Sequence, residues 1–160
     1  MRPKTRTFAR RLRIFAPIFA GIGRTSSRKR VYVSYTHAGD AGFKRFLETW
    51  DTDTDFRFIF SRHPSGMSIM SEAARPVKAT ITRTMRRAEY LLVIVGENTH
   101  LDEWVTWEVT RAQQHGIELK VAGVKISNEF QPPAGMPETS WAAGFTKHSI
   151  LAALKDAGRG

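Results

Sequence analysis

Tyr90-Leu91-Leu92-Val93-Ile94-Val95-Gly96-Glu97-Asn98-Thr99-His100 runs directly into Leu101-Asp102-Glu103-Trp104-Val105-Thr106-Trp107-Glu108-Val109-Thr110-Arg111-Ala112, and this stretch decides the fold. Six apolar residues closed by Gly96 read as a strand covered on both faces, which is the pattern of a parallel sheet. Gly96 and Asn98 accept the backbone angles of a sharp strand-to-helix turn. Thr99 or Asp102 can cap the helix that follows, and acidic residues suit its positive end. Val105, Val109 and Ala112 are spaced for one buried face. Trp104, Trp107, Glu108 and Arg111 fall on a neighbouring face. Glu108 therefore lies beside the core stripe, about two turns into the helix, where it can form the wall of a pocket at the carboxyl end of a sheet. The plain alternative on spacing alone is a solvated glutamate paired with Arg111 three residues on.

Working outward, Val31-Tyr32-Val33-Ser34-Tyr35 is a first strand, ending in Thr36-His37-Ala38-Gly39-Asp40. Phe43, Phe46, Leu47 and Trp50 mark a first helix, and Asp51 to Asp55 an acidic loop. Phe56-Arg57-Phe58-Ile59-Phe60 is a second strand whose alternation places it nearer a sheet edge. Ser61 to Ser71 is a connection longer than packing requires. Val77, Ile81 and Met85 define a helix ending near Ala88. Beyond the central stretch, Gly116 is a stop signal and Leu119 to Ile126 a fourth strand. Asn128 to Thr139 is a proline-containing loop, and Ile150, Leu151 and Leu154 define a closing helix ended by Gly158. Strands alternating with helices predict an α/β three-layer sandwich with a four- or five-stranded, mainly parallel sheet. With strand order 2-1-3-4, the loops after strands one and three face one crevice, the place where such sheets bind ligands.

The net charge of +10 is local rather than global. Residues 1–30 hold ten Lys and Arg and no acid, which leaves fifteen basic residues against all fifteen acids in 31–160. The folded part has no general excess for gripping a phosphate backbone, and no nucleic-acid partner is expected for it. Residues 1–29 read as a basic, disordered leader ahead of one domain spanning 30–160. The leader is also open to reading as a start assigned too early, a basic amphipathic helix interrupted by Pro17, or an export signal. The absence of cysteine excludes thiol catalysis, disulfides and cysteine-ligated zinc, and suits a cytoplasmic protein. The five histidines are dispersed without metal-ligand spacing, so no metal is expected. No phosphate-binding glycine motif and no GxSxG elbow is present.

What remains is one carboxylate at a crevice. The opening Val31-Tyr32-Val33-Ser34-Tyr35, and Leu92-Val93-Ile94-Val95-Gly96-Glu97-Asn98-Thr99-His100 followed by Trp104-Val105-Thr106-Trp107-Glu108, resemble the TIR-like proteins of the bacterial Thoeris anti-phage system. The resemblance covers about residues 29–126. It implies a flavodoxin-like TIR fold and an enzyme that consumes NAD as substrate, with no bound cofactor. Cleavage of the nicotinamide–ribose bond would yield a cyclic ADP-ribose-type nucleotide that activates an effector, under a phage-derived trigger. It implies Glu108 as the catalytic carboxylate, with Ser34 and Tyr35 lining the nucleotide pocket. It also implies that Ser61 to Ser71 joins neighbouring TIR domains into a homo-oligomer. His37, Trp107 and Arg62 complete the candidate substrate contacts: His37 from the loop after strand one, Trp107 as an aromatic wall, and Arg62, with His63, as a partner for a diphosphate. Trp104 and Trp107 read as packing residues as well as stacking ones. Two other functions fit the same fold: a non-catalytic TIR-like scaffold acting by homotypic assembly, and a nucleoside deoxyribosyltransferase-like enzyme.

Overall fold

Strand and helix alternate along the chain as the hydrophobic pattern requires. A computed structural model describes residues 27–160. The elements are β1 (Lys29–Ser34), α1 (His37–Trp50), β2 (Phe56–Phe60), α2 (Ala74–Met85), β3 (Tyr90–Val95), α3 (Glu103–Ala112), β4 (Lys120–Lys125), β5 (Ser140–Ala142) and α4 (Lys147–Ala157). The leader reading of residues 1–29 falls almost wholly outside the described residues. Lys29 already pairs with Phe56 in the sheet, one residue ahead of the boundary drawn from the sequence.

All four pairings in the five-stranded sheet are parallel, in the order β2-β1-β3-β4-β5. The apolar run Tyr90–Val95 becomes the central strand, buried along its whole length. On one face, Val31, Val33, Leu92 and Ile94 pack with Leu47 of α1 and with Ile150 and Leu154 of α4. On the other, Tyr32, Leu91, Val93 and Val95 pack with Ile81 and Met85 of α2 and with Val105, Val109 and Ala112 of α3. This is the three-layer α/β sandwich of the flavodoxin-like TIR fold. β2 lies at the edge, as its alternation indicated. The chain leaves β1 for β2 on one side and returns to β3 on the other, which opens a crevice beyond their carboxyl ends.

The turn after β3 is built from side-chain caps. Thr99 Oγ1 accepts the Gly96 N–H at 2.8 Å and closes the strand end. Asp102 caps α3, its Oδ1 accepting the N–H groups of Trp104 at 2.9 Å and Val105 at 3.3 Å. Such a cap contributes about 1 kcal/mol. Three elements differ from the sequence reading. α1 starts at His37, directly after β1. The acidic stretch after it forms a 3-10 turn over Asp51–Asp53. Ser140–Ala142 adds a short fifth strand where only a loop and the closing helix were read. Two glycines permit close approach: a Cβ at Gly123 would lie 2.6 Å from the Trp141 ring, and one at Gly158 2.6 Å from the Tyr90 hydroxyl.

Candidate active site

The pleat of β1 sends alternate residues to opposite faces. Val31, Val33 and Tyr35 join the core under α1 and α4. Tyr32 and Ser34 point the other way, toward α3. The alternation continues past β2, where the Ser61 N–H bonds the Val33 carbonyl at 2.9 Å. Ser61 and His63 are buried, while Arg62 between them is exposed. From α3, residues 105, 108, 109 and 112 follow the i, i+3, i+4, i+7 spacing of a single buried face. Glu108 is therefore inside that stripe and fully buried.

Three hydroxyls close on its carboxylate. Tyr32 donates to Oε1 at 2.8 Å, Ser61 also donates to Oε1, and Ser34 donates to Oε2. His63 Nδ1 lies 3.6 Å from Oε1 and 3.0 Å from Ser61 Oγ. The Ser61 hydroxyl has one hydrogen, and Glu108 takes it. The His63 contact therefore requires Nδ1 to carry a hydrogen and donate it to Ser61. Burial, followed by the charge of Glu108, holds the Tyr32 phenol well above its ordinary pKa, so it stays a donor. The surface-pair alternative for Glu108 is corrected. Arg111 instead donates to Thr82 Oγ1 at 3.1 Å and to the Gln114 side chain.

Over this carboxylate stands a column of rings. Tyr35 stacks on His37 with centroids 4.5 Å apart, His37 on His63 at 4.2 Å, and His63 on Trp104 at 5.3 Å with planes 1° apart. Trp104 is anchored by its indole N–H, which donates to the Met67 carbonyl at 2.8 Å. A cleft of about 190 Å3 lies against the column, lined among others by Thr36, His37, His63, Pro64, Asp102 and Trp104. Among the described residues, His37 Nε2 and Thr36 Oγ1 are buried there without hydrogen-bond partners. Burial, then the neighbouring His63, lowers the pKa of His37. Burial raises that of Tyr35, with Glu48 and Glu108 adding to it.

The expected contacts divide. Ser34 touches Glu108 directly, while Tyr35 and His37 stand in the column. Trp107 sits outside the cleft, edge-on to Trp104 at 6.2 Å and 79°, with Lys78 Nζ 5.7 Å from its ring centre. Arg62 lies on the outer side of β2 and lines a different groove. Tyr32 and Ser61 were missed. The signal for both is the period of two that Ser34 and His63 share with them. Among the described residues no group of three His, Asp or Glu is placed to hold a metal ion.

A parallel sheet in the order 2-1-3-4-5, with a buried carboxylate beside the β1–β3 crevice, defines a flavodoxin-like domain of the TIR type. The family model described as Thoeris protein ThsB, TIR-like domain, matches residues 32–130, and the chain belongs to that family. It is thus a Thoeris-type defence TIR protein, from a system with further components. No curated protein matches the chain. Among the described residues no helix is long and apolar enough to cross a membrane.

Proposed function

We propose that this domain cleaves NAD at the nicotinamide–ribose bond in the cytoplasm and forms a cyclic ADP-ribose-type nucleotide that activates an effector. The observation that carries this reading is the Glu108 carboxylate, buried at the crevice and bonded by hydroxyl donors on both oxygens.

The donors come from two kinds of support. Tyr32 and Ser34 belong to β1, a strand paired on both sides. Ser61 and His63 belong to the connection after β2. If that connection lifts, Oε1 loses the Ser61 hydroxyl while Tyr32 and Ser34 still fix the carboxylate. A ribose hydroxyl offers the same O–H donor and replaces Ser61 without a new kind of contact. The nicotinamide of NAD is a pyridinium and leaves as a neutral ring, so the departure needs no acid partner. Positive charge then develops on the ribose, and the nearby carboxylate stabilises it. The adenine must reach the ribose carbon before water does, and the ring column limits water access.

The column covers Glu108, so the described arrangement is a closed one. Opening by a phage-derived trigger, or by assembly through TIR surfaces, is the step that admits NAD. The scaffold reading draws on the same end of the molecule, where Met70 and Leu101 are 85% and 69% exposed. Cells expressing wild type or Glu108→Gln, with and without phage, separate the two readings. Nicotinamide and a cyclic product in filtered lysates are expected only with infected wild type. Undiminished NAD turnover by Glu108→Gln removes the catalytic role. Defence retained by Glu108→Gln, with no NAD turnover in either protein, favours the scaffold.

A further inference from the structure

On the outer face of the β2 edge, away from the ring column, Arg30, Arg57, Arg83 and Arg87 line one groove of about 380 Å3 together with Ile59, Thr80 and Thr84. Two features make this concentration costly. Arg30 and Arg57 are direct partners across the parallel pair β1–β2, and like charges opposite one another destabilise a sheet. Arg83, in the last turn of α2, and Arg87, two residues past its end, add two more like charges to the same groove, and these repel. Among the described residues none of the four guanidinium groups is ion-paired. Glu89 approaches only the backbone N–H of Arg30, at 3.1 Å. One guanidinium has a structural bond: Arg30 Nη1 donates to the Arg87 carbonyl at 3.1 Å. The helix end favours Arg83 and Arg87 through its partial negative charge, but not the strand pair.

We propose that this groove binds the polyphosphate chain of a small molecule. Its volume lies in the range of small-ligand sites. Guanidinium groups match phosphate oxygens in pairs and are the side chains suited to several linked phosphates. Among the described residues no aromatic ring lines this groove, so it has no platform for stacking bases as single-stranded nucleic acid requires. It shares Arg57, Ile59, Thr80 and Thr84 with a second groove that carries Arg62. Lys44 in that second groove is held by Glu48 at 3.5 Å, which leaves the arginines to meet the anion.

The test is calorimetric titration of the full chain with inorganic tripolyphosphate, with ATP, and with a single-stranded oligonucleotide. Arg83→Ala/Arg87→Ala is compared with Lys155→Ala/Arg159→Ala, which removes the same charge from the last turn of α4 and the residues just after it, in the opposite layer. The proposal expects tripolyphosphate binding weakened about tenfold or more by the first pair and little by the second. Arg57→Gln, on the strand side, is expected to weaken it as well, and circular dichroism checks that each variant folds. ATP bound as tightly as tripolyphosphate shows that the phosphates alone are read; tighter ATP binding identifies a nucleotide as the source. No binding by wild type, or equal weakening by both pairs, overturns the proposal. An oligonucleotide that binds more tightly than tripolyphosphate through the same arginines overturns it in favour of nucleic acid.

Discussion

Replacing Glu108 with Gln and with Ala separates chemistry from architecture. Gln keeps the volume and one carbonyl oxygen. With that oxygen at the Oε1 position, Tyr32 and Ser61 keep their acceptor. The new NH2 group then faces Ser34 Oγ, which can turn and accept. One hydrogen bond is reversed and none is lost. The charge-assisted bonds become neutral and weaken, but the cost of burying an anion disappears with them. The two effects oppose, so Glu108→Gln should change unfolding free energy by only about 1 kcal/mol in either direction. Ala removes the acceptor of three buried hydroxyls and opens a cavity, a loss of about 3 to 5 kcal/mol. Urea unfolding measures both values. On the proposed mechanism, NAD turnover falls by about 10²-fold or more in both variants, because a neutral amide cannot stabilise the developing charge. Two results refute the reasoning: Gln as destabilising as Ala, which breaks the donor accounting, or Gln as active as wild type, which leaves Glu108 a structural residue.

Arg62→Ala should leave NAD turnover unchanged because Arg62 faces away from Glu108, whereas Ser61→Ala should alter it; parallel turnover assays compare the two. His37 has a lowered pKa in the fold, so the unfolded chain binds its proton first. Stability from this group is present above the ordinary histidine value of about 6.5 and is lost as pH falls through it toward the lower folded value. His37→Phe, which keeps a stacked ring without a titrating group, should flatten that part of a urea-midpoint profile against pH. Gly158→Ala should cost about 1 to 3 kcal/mol because the new methyl meets Tyr90 Oη and the Lys155 carbonyl; a lowered urea midpoint with an unchanged slope checks this.

The central strand, its turn and the helix after it were legible because burial on both faces, a glycine and a capping Asp102 leave separate local marks. Glu108 was placed beside the apolar stripe when it belongs within it. Val105, Glu108, Val109 and Ala112 complete the spacing of one face, and a charged residue at such a position is itself a sign of a buried polar site. Charge alone singles out Arg62, yet the pleat carried through from β2 turns its neighbours Ser61 and His63 inward. β5 left no mark because three residues show no period. It exists through tertiary contact, with Trp141 seated over Gly123. The ring column draws on residues 35, 37, 63 and 104, which only the folded topology brings together.

The placement of Tyr90–Val95 at the centre of the sheet also bears on how the protein fails. These six residues are uncharged, free of proline and glycine, and rich in β-forming side chains, the composition of a self-associating segment. In the native state β1 and β4 occupy both of its edges. Once the sheet opens, the segment can pair with copies of itself, and only Arg86, Arg87 and Glu89 on one side and Glu97 on the other stand as charged gatekeepers. Heating should therefore end in aggregation rather than in a reversible equilibrium. The practical durability of the protein is then set by how fast it unfolds.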